Sequence, residues 1–317
     1  MASRVSFVTN RLLNNSIFRS ILQRVLGIAA QRRLPRFTQT RFMASQRVLR
    51  NQNSGAPGGN KPTVVYFVDY FANHHDPELG EAFVRVLEHN GYRVFIPPGQ
   101  TVSGMGMFSN GDLAGARTLA EQNIRALIEP AREGYAIVCT EPTAALCLTQ
   151  EYPMLVQNDD AGIVAQQTTD AGSFLADLHR RGLLKRDFSP LPLRIAWHTP
   201  CHVKALRKGT PMLELLALIP ELQVLMIEKG CTGMAGTFGI AAANFEKSIE
   251  IGAGLIREMQ TIDAHAGVTD CSSCRMQMEQ AANIPTIHPI KLLALSYGLM
   301  PRLSERLKSR PGGLVMS

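Results

Sequence analysis

The stretch Gly230-Cys231-Thr232-Gly233-Met234-Ala235-Gly236 decides how this sequence is read. Two satellites share its local pattern: Trp197-His198-Thr199-Pro200-Cys201-His202 upstream, and Asp270-Cys271-Ser272-Ser273-Cys274-Arg275 downstream. In each place an apolar run comes first, then a cysteine, then a helical pattern. Leu193 to Trp197 precedes Cys201, Leu222 to Ile227 precedes Cys231, and Ala264 to Val268 precedes Cys271, with Arg275 to Ala282 as the next helix. In a parallel sheet with crossover helices, the strand-to-helix turns lie at one edge, where such folds hold their ligands. Cysteines distant in sequence are therefore expected to meet at one point.

Composition sets the bounds. A chain of 317 residues with 45% hydrophobic and 19% charged residues buries a substantial core and fits a globular protein. No apolar run approaches the roughly 18 residues that a membrane-spanning helix needs. Six cysteines are too few for a secreted disulfide scaffold, and their clustering suggests thiolates used as ligands or redox groups. Residues 1–62 hold eleven of the 33 basic residues and none of the 26 acidic ones, which leaves 22 basic against 26 acidic in the remainder. The positive charge thus belongs to an arm, and nucleic acid is not expected as a partner of the body.

The arm, Met1 to Arg50, is Arg-rich and free of acids. It reads either as a mitochondrial transit segment or as a solvated basic helix with an extended tail. Asn51 to Lys61 reads as a flexible linker, so residues 1–62 are expected to form a separate unit. A first α/β lobe is expected over residues 63–186, with strands at Thr63 to Val68, Tyr92 to Ile96 and Tyr135 to Cys139. Its helices are placed at Pro77 to Asn90 and at Asp112 to Ile128, with Asp112 as cap. A Pro-containing connector, Asp187 to Pro192, opens a second lobe over residues 187–317 that repeats the order of elements. The match extends to Val102-Ser103-Gly104-Met105, which lies where Cys231-Thr232-Gly233-Met234 lies in the second lobe. The fold class expected is α/β, as two pseudo-repeated lobes with parallel sheets, crossover helices and cysteines at strand-to-helix turns. Cys139 and Cys147 fall outside the repeat register and read as small buried hydrophobes.

These motifs resemble the cysteine-rich (CCG) domain family of the heterodisulfide-reductase B type. That domain also occurs in the iron–sulfur subunits of glycolate oxidase and of anaerobic glycerol-3-phosphate dehydrogenase, and at the C-terminal end of fused FAD-linked oxidases. The matching segments are Pro200-Cys201-His202, Gly230 to Gly239, Asp270 to Cys274 and His288-Pro289-Ile290, with Asn73 to Gly80, Ser103 to Leu113 and Glu151-Tyr152-Pro153 in the first lobe. Leu26 to Phe37, with Gly27, Arg33 and Leu34-Pro35, resembles the stretch that precedes this domain in the fused oxidases. The resemblance implies an iron–sulfur electron-transfer subunit or fragment. It would pass electrons from a flavin that oxidises glycolate, lactate or glycerol 3-phosphate towards a quinone or another carrier. It also implies a FAD-binding dehydrogenase or oxidase subunit and a ferredoxin-type iron–sulfur protein as partners, FAD being bound only there. A cytoplasmic place, peripheral at the inner face of the membrane, goes with it. Two departures stand out. The family's paired cysteines are here Cys231-Thr232, and the first-lobe positions read Tyr70, Val102-Ser103, Glu141 and Ala144, so that lobe is expected to carry no cluster.

Four thiolates, Cys201, Cys231, Cys271 and Cys274, are expected to hold either a [4Fe–4S] cluster or zinc, since both accept four-cysteine ligation. Gly230, Gly233 and Gly236 allow tight turns around the group, and Thr232 offers it a hydroxyl. Three alternatives stay open: a zinc-stapled non-redox protein, a thiol–disulfide reductase using Cys271 and Cys274, and four unligated buried thiols. His198 and His202 are read as structural hydrogen-bonding residues or as extra ligands, and His74, His75 and His288 likewise. Met276 and Met278 are read as packing.

Overall fold

Eight short strands form two four-stranded parallel sheets in the computed structural model, which describes residues 6–45, 48, 61–282, 284–300 and 303. The first sheet holds β1 (Thr63–Phe67), β2 (Arg93–Phe95), β3 (Ile137–Cys139) and β4 (Thr168–Asp170), in the order β2-β1-β3-β4. The second holds β5 (Arg194–Trp197), β6 (Gln223–Met226), β7 (Ala266–Val268) and β8 (Thr286–Ile287), in the order β6-β5-β7-β8. The two halves thus have one topology, as the repeated order of motifs implies. All residues of β1 are buried, because helices cover both faces of a parallel sheet.

The helix borders follow local chemistry. Leu113–Arg132 begins where the Asp112 carboxylate accepts the Gly115 amide at 2.9 Å. Pro77–His89 opens on proline, whose missing N–H is no loss at a helix start. Cys139 and Cys147 pack in an apolar cluster with Phe67, Leu127 and Leu148, and Met278 packs with Leu255 and Met259. One larger core crosses both halves, joining Tyr66, Phe83 and Leu87 to Trp197, Leu215 and Leu293.

The halves are also tied by charge. Asp76, just before Pro77–His89, pairs its Oδ2 with Arg275 at 2.9 Å and its Oδ1 with Lys291. Both cations are fully buried. Burial alone would push the Asp76 carboxyl up, but Lys291 and Arg275 outweigh it and hold the group below the ordinary carboxylate range.

Residues 27–45 of the basic stretch, expected to stand apart, are seated on the body. Ile28 bridges Ala241, the Ala29 amide donates to Ile240 O at 2.8 Å, and the Ala242 amide donates to Gly27 O at 2.7 Å. Phe42 is buried against Gly80, where a Cβ would come within 2.9 Å of its ring. A basic composition described the surface of this stretch but not Ala29, Arg32 and Phe42, which are all buried. The linker expected over Asn51 to Lys61 lies, up to residue 60, outside the described residues.

Candidate metal centre

Each cysteine of the quartet follows the C-terminal end of a strand. Cys201 follows β5 and opens the helix Cys201–Ala205, Cys231 lies in the loop after β6, and Cys271 and Cys274 sit where β7 passes into the helix Ser272–Ala282. In the second sheet β5 lies between β6 and β7, so these three turns are neighbours at one edge. The sulfurs form two pairs. The neighbouring Cys201 lowers the Cys231 pKa, and Cys231 raises that of Cys201. Cys274 likewise lowers the pKa of Cys271, and Cys271 raises that of Cys274. Cys201 is also within electrostatic reach of Cys271 and Cys274, so the pairs face one another. None of the four is in a disulfide. Among the described residues no three His, Cys, Asp or Glu side chains are grouped so that they could hold a metal ion as they stand.

Sulfur acceptors here are supplied with donors. The Gly233 amide donates to Cys231 Sγ at 3.3 Å, and the Thr232 hydroxyl, almost fully buried, donates to Cys274 Sγ at 3.4 Å. Thr143 Oγ1 stands 4.0 Å from Cys271 Sγ and 2.7 Å from His202 Nδ1, which makes His202 a neighbour of the site through a hydroxyl. Four soft thiols from three turns, with one member of each pair already favoured as thiolate, are a donor set that suits an iron–sulfur cluster or zinc.

The glycines of the loop serve different ends. Gly230, Gly233 and Gly236 all have positive φ, at 77°, 85° and 64°. At Gly233 space is short as well, for a Cβ would lie 2.0 Å from Ser248 O in the helix Phe245–Thr261. Gly233→Ala is therefore expected to cost about 2–4 kcal/mol in stability through overlap and a strained φ. Gly230→Ala meets no atom within 4 Å and is expected to cost about 1 kcal/mol, from φ alone. Chemical unfolding of both variants checks the difference, and equal losses would contradict the close approach.

In the first half the equivalent edge is closed by hydrogen bonds. The Asp69 carboxylate accepts the Ser103 amide at 2.9 Å and its hydroxyl at 3.0 Å, while Tyr152 OH donates to Ser103 O at 2.9 Å. Glu141 points to the second half instead. It accepts the Ser272 amide at 3.0 Å and also the Ser272 hydroxyl, capping the helix that carries Cys274. Burial, with Cys271 nearby, pushes its carboxyl up to about 8. Arg275 donates to Ser272 Oγ at 2.6 Å and so joins Asp76 to this cap. His288 is fully buried, donates from Nε2 to Thr140 O at 3.1 Å and accepts the Ile290 amide on Nδ1. His198 is buried and neutral, its pKa pushed down to about 4 by burial.

A family model described as cysteine-rich domain (CCG) matches residues 195–279, the span from β5 through Cys274. One subunit of the anaerobic glycerol-3-phosphate dehydrogenase of Escherichia coli is 30% identical over 277 residues, covering 87% of this chain and 68% of that protein. The chain belongs to the cysteine-rich CCG family. Another relative is an uncharacterized iron–sulfur protein of Methanocaldococcus jannaschii, 25% identical over 225 residues, 70% of this chain and 42% of that protein. A crystal structure of a hypothetical protein from Helicobacter pylori superposes with a TM-score of 0.52 over 96% of this chain and 59% of that one. At 12% identity it shows a shared fold and nothing more. In this CCG chain the sequence reading named the four thiols and Thr232. It gave no role to Asp76, Thr143 or Arg32, and it met Glu141 only as a vacant cysteine position. That register position was the one signal available for Glu141.

Proposed function

We propose that Cys201, Cys231, Cys271 and Cys274 together hold one [4Fe–4S] cluster, and that the chain carries electrons for a flavin-linked dehydrogenase or oxidase. The reading rests on one observation above the others: the four cysteines leave three neighbouring strand ends at one edge of the second sheet, within electrostatic reach of one another. The names of the relatives support it, one being part of a dehydrogenase and another an iron–sulfur protein. A cluster bound there would supply reversible one-electron storage. Around it, the chain's own groups set the conditions: the Gly233 amide and the Thr232 hydroxyl donate to sulfur, and Glu141 caps the helix of Cys274. Cys201 is exposed, which gives a partner access to this edge.

On this reading residues 187–317 form the cluster lobe and residues 63–186 a scaffold lobe without ligands. Substrate oxidation, of a small 2-hydroxy acid or glycerol 3-phosphate, takes place in a FAD-binding partner, and a ferredoxin-type protein joins the chain of carriers. No helix of the described residues is long and apolar enough to cross a membrane, and we assign the chain to the cytoplasmic side as a peripheral component.

Thr232 provides a test of the reading. Its hydroxyl keeps its proton and donates to sulfur, so it tunes the site without binding metal. Thr232→Ala is expected to keep its iron and lower the midpoint potential, read by redox titration followed by EPR. Loss of iron from Thr232→Ala would contradict a site held by four thiolates.

A further inference from the structure

Arg32 is fully buried, yet no carboxylate pairs with it among the described residues. Its partners are all neutral. Nε donates to Gly239 O at 2.8 Å, and the terminal nitrogens donate to Ser248 Oγ at 3.2 Å, to Gln280 Oε1 at 3.2 Å and to Gln277 Oε1. The guanidinium carbon lies 4.8 Å from the centre of the Phe245 ring. Burial lowers its pKa to about 10, so it remains a cation at neutral pH. An isolated buried charge is costly unless an opposite charge stands near it.

What Arg32 touches is the support of two of the cysteines. Gly239 follows the Cys231 loop and packs on Ser248, where a Cβ at Gly239 would come within 2.5 Å of Ser248 Oγ. Ser248 belongs to the helix against which Gly233 is pressed. Gln277 lies one turn beyond Cys274 on the helix Ser272–Ala282. From the other side, the bridge of Ile28 to Ala241 fixes the strap that delivers Arg32.

We propose that Arg32 is a positioning residue of the cysteine site: it clamps the Cys231 loop to the Cys274 helix and supplies a fixed positive charge behind a negatively charged tetrathiolate group. The inference rests on the cluster reading above. Two roles are separable, since the fork of hydrogen bonds holds the loop and the charge sets the potential.

The test compares wild type, Arg32→Lys and Arg32→Gln after anaerobic reconstitution with iron and sulfide. Far-UV circular dichroism reports folding, a chelator reports the rate of iron loss, and redox titration reports the potential. Arg32→Gln is expected to lose iron at least about tenfold faster and to have a lower potential. The reduced-to-oxidised ratio should shift about tenfold at fixed ambient potential, which is about 59 mV for one electron. Arg32→Lys keeps the charge without the fork, so its iron loss is fast while its potential stays near wild type. A merely structural residue would not separate these two readouts. Wild-type release and potential in Arg32→Gln would overturn the proposal; should that variant not fold, a wild-type release rate in Arg32→Lys would do so. If the wild-type chain takes up zinc and no iron, the cluster reading and the charge role fall together. Zinc release from the same variants then still decides the clamp, and equal release rates would refute it.

Discussion

Asp76→Asn is expected to destabilise the folded protein by about 3–5 kcal/mol, the loss found when one member of a buried charge group is removed. The shape of the side chain is kept, so packing is not the cause. Arg275 and Lys291, both fully buried, lose the one carboxylate that neutralises them from inside. Glu78 offers Lys291 only a longer contact at 3.4 Å from a half-buried position. Urea unfolding checks the size of the effect, and a loss below about 1 kcal/mol would contradict the role given to Asp76. The pH dependence follows from the sign of the shift. A carboxyl depressed in the folded state binds fewer protons there than in the unfolded chain. Its stabilising contribution is complete above the unfolded value of about 4 and is lost as pH falls through the lower folded value. The acid limb of the stability profile should therefore be shallower in Asp76→Asn than in wild type. Because Asp76 lies in the first half and its partners in the second, the same substitution is expected to loosen the Glu141 cap on the Cys274 helix, which Arg275 joins through Ser272.

Cys271→Ser is expected to lower bound metal sharply. Sharing the roughly 10–16 kcal/mol of a four-ligand site equally gives about 3 kcal/mol per ligand, or about a hundredfold in affinity. Serine keeps its proton at neutral pH and does not replace the thiolate. Cys201→Ser, Cys231→Ser and Cys274→Ser should behave alike, since the four act as one donor set. Cys139→Ser is the control. It places a hydroxyl in an apolar cluster and costs about 1–3 kcal/mol in stability, but leaves metal per folded chain unchanged. Metal analysis of the folded fraction separates the two classes, and equal loss from Cys139→Ser would sink the assignment.

Much of the fold was legible because several strands are apolar runs of at least three residues. Val64 to Phe67, Ile137 to Cys139 and Ile195 to Trp197 all became buried strands. Two edge strands were not read. β4 is Thr168–Asp170, without an apolar residue, and β8 is only Thr286–Ile287, too short for any period to show. The π-turn at Cys147–Glu151 inside the helical run from Pro142 to Leu155 has no sequence signature either. At the site, the place of the four cysteines after neighbouring strands followed from the order of the apolar runs. The partners that hold them did not, because Asp76, Glu141 and Arg32 are 199, 131 and 245 residues from Arg275, Ser272 and Gln277. No local pattern reports contacts of that span. Arg32 was hidden further by its setting: in a stretch of eleven basic residues and no acids, one buried arginine looks like the rest.

The central claim is that the quartet holds an iron–sulfur cluster, and metal and acid-labile sulfide analysis of the anaerobically purified full chain tests it most directly. The account predicts about four iron and four sulfide per chain with broad absorption near about 400 nm. About one zinc per chain with no sulfide and no colour would contradict it.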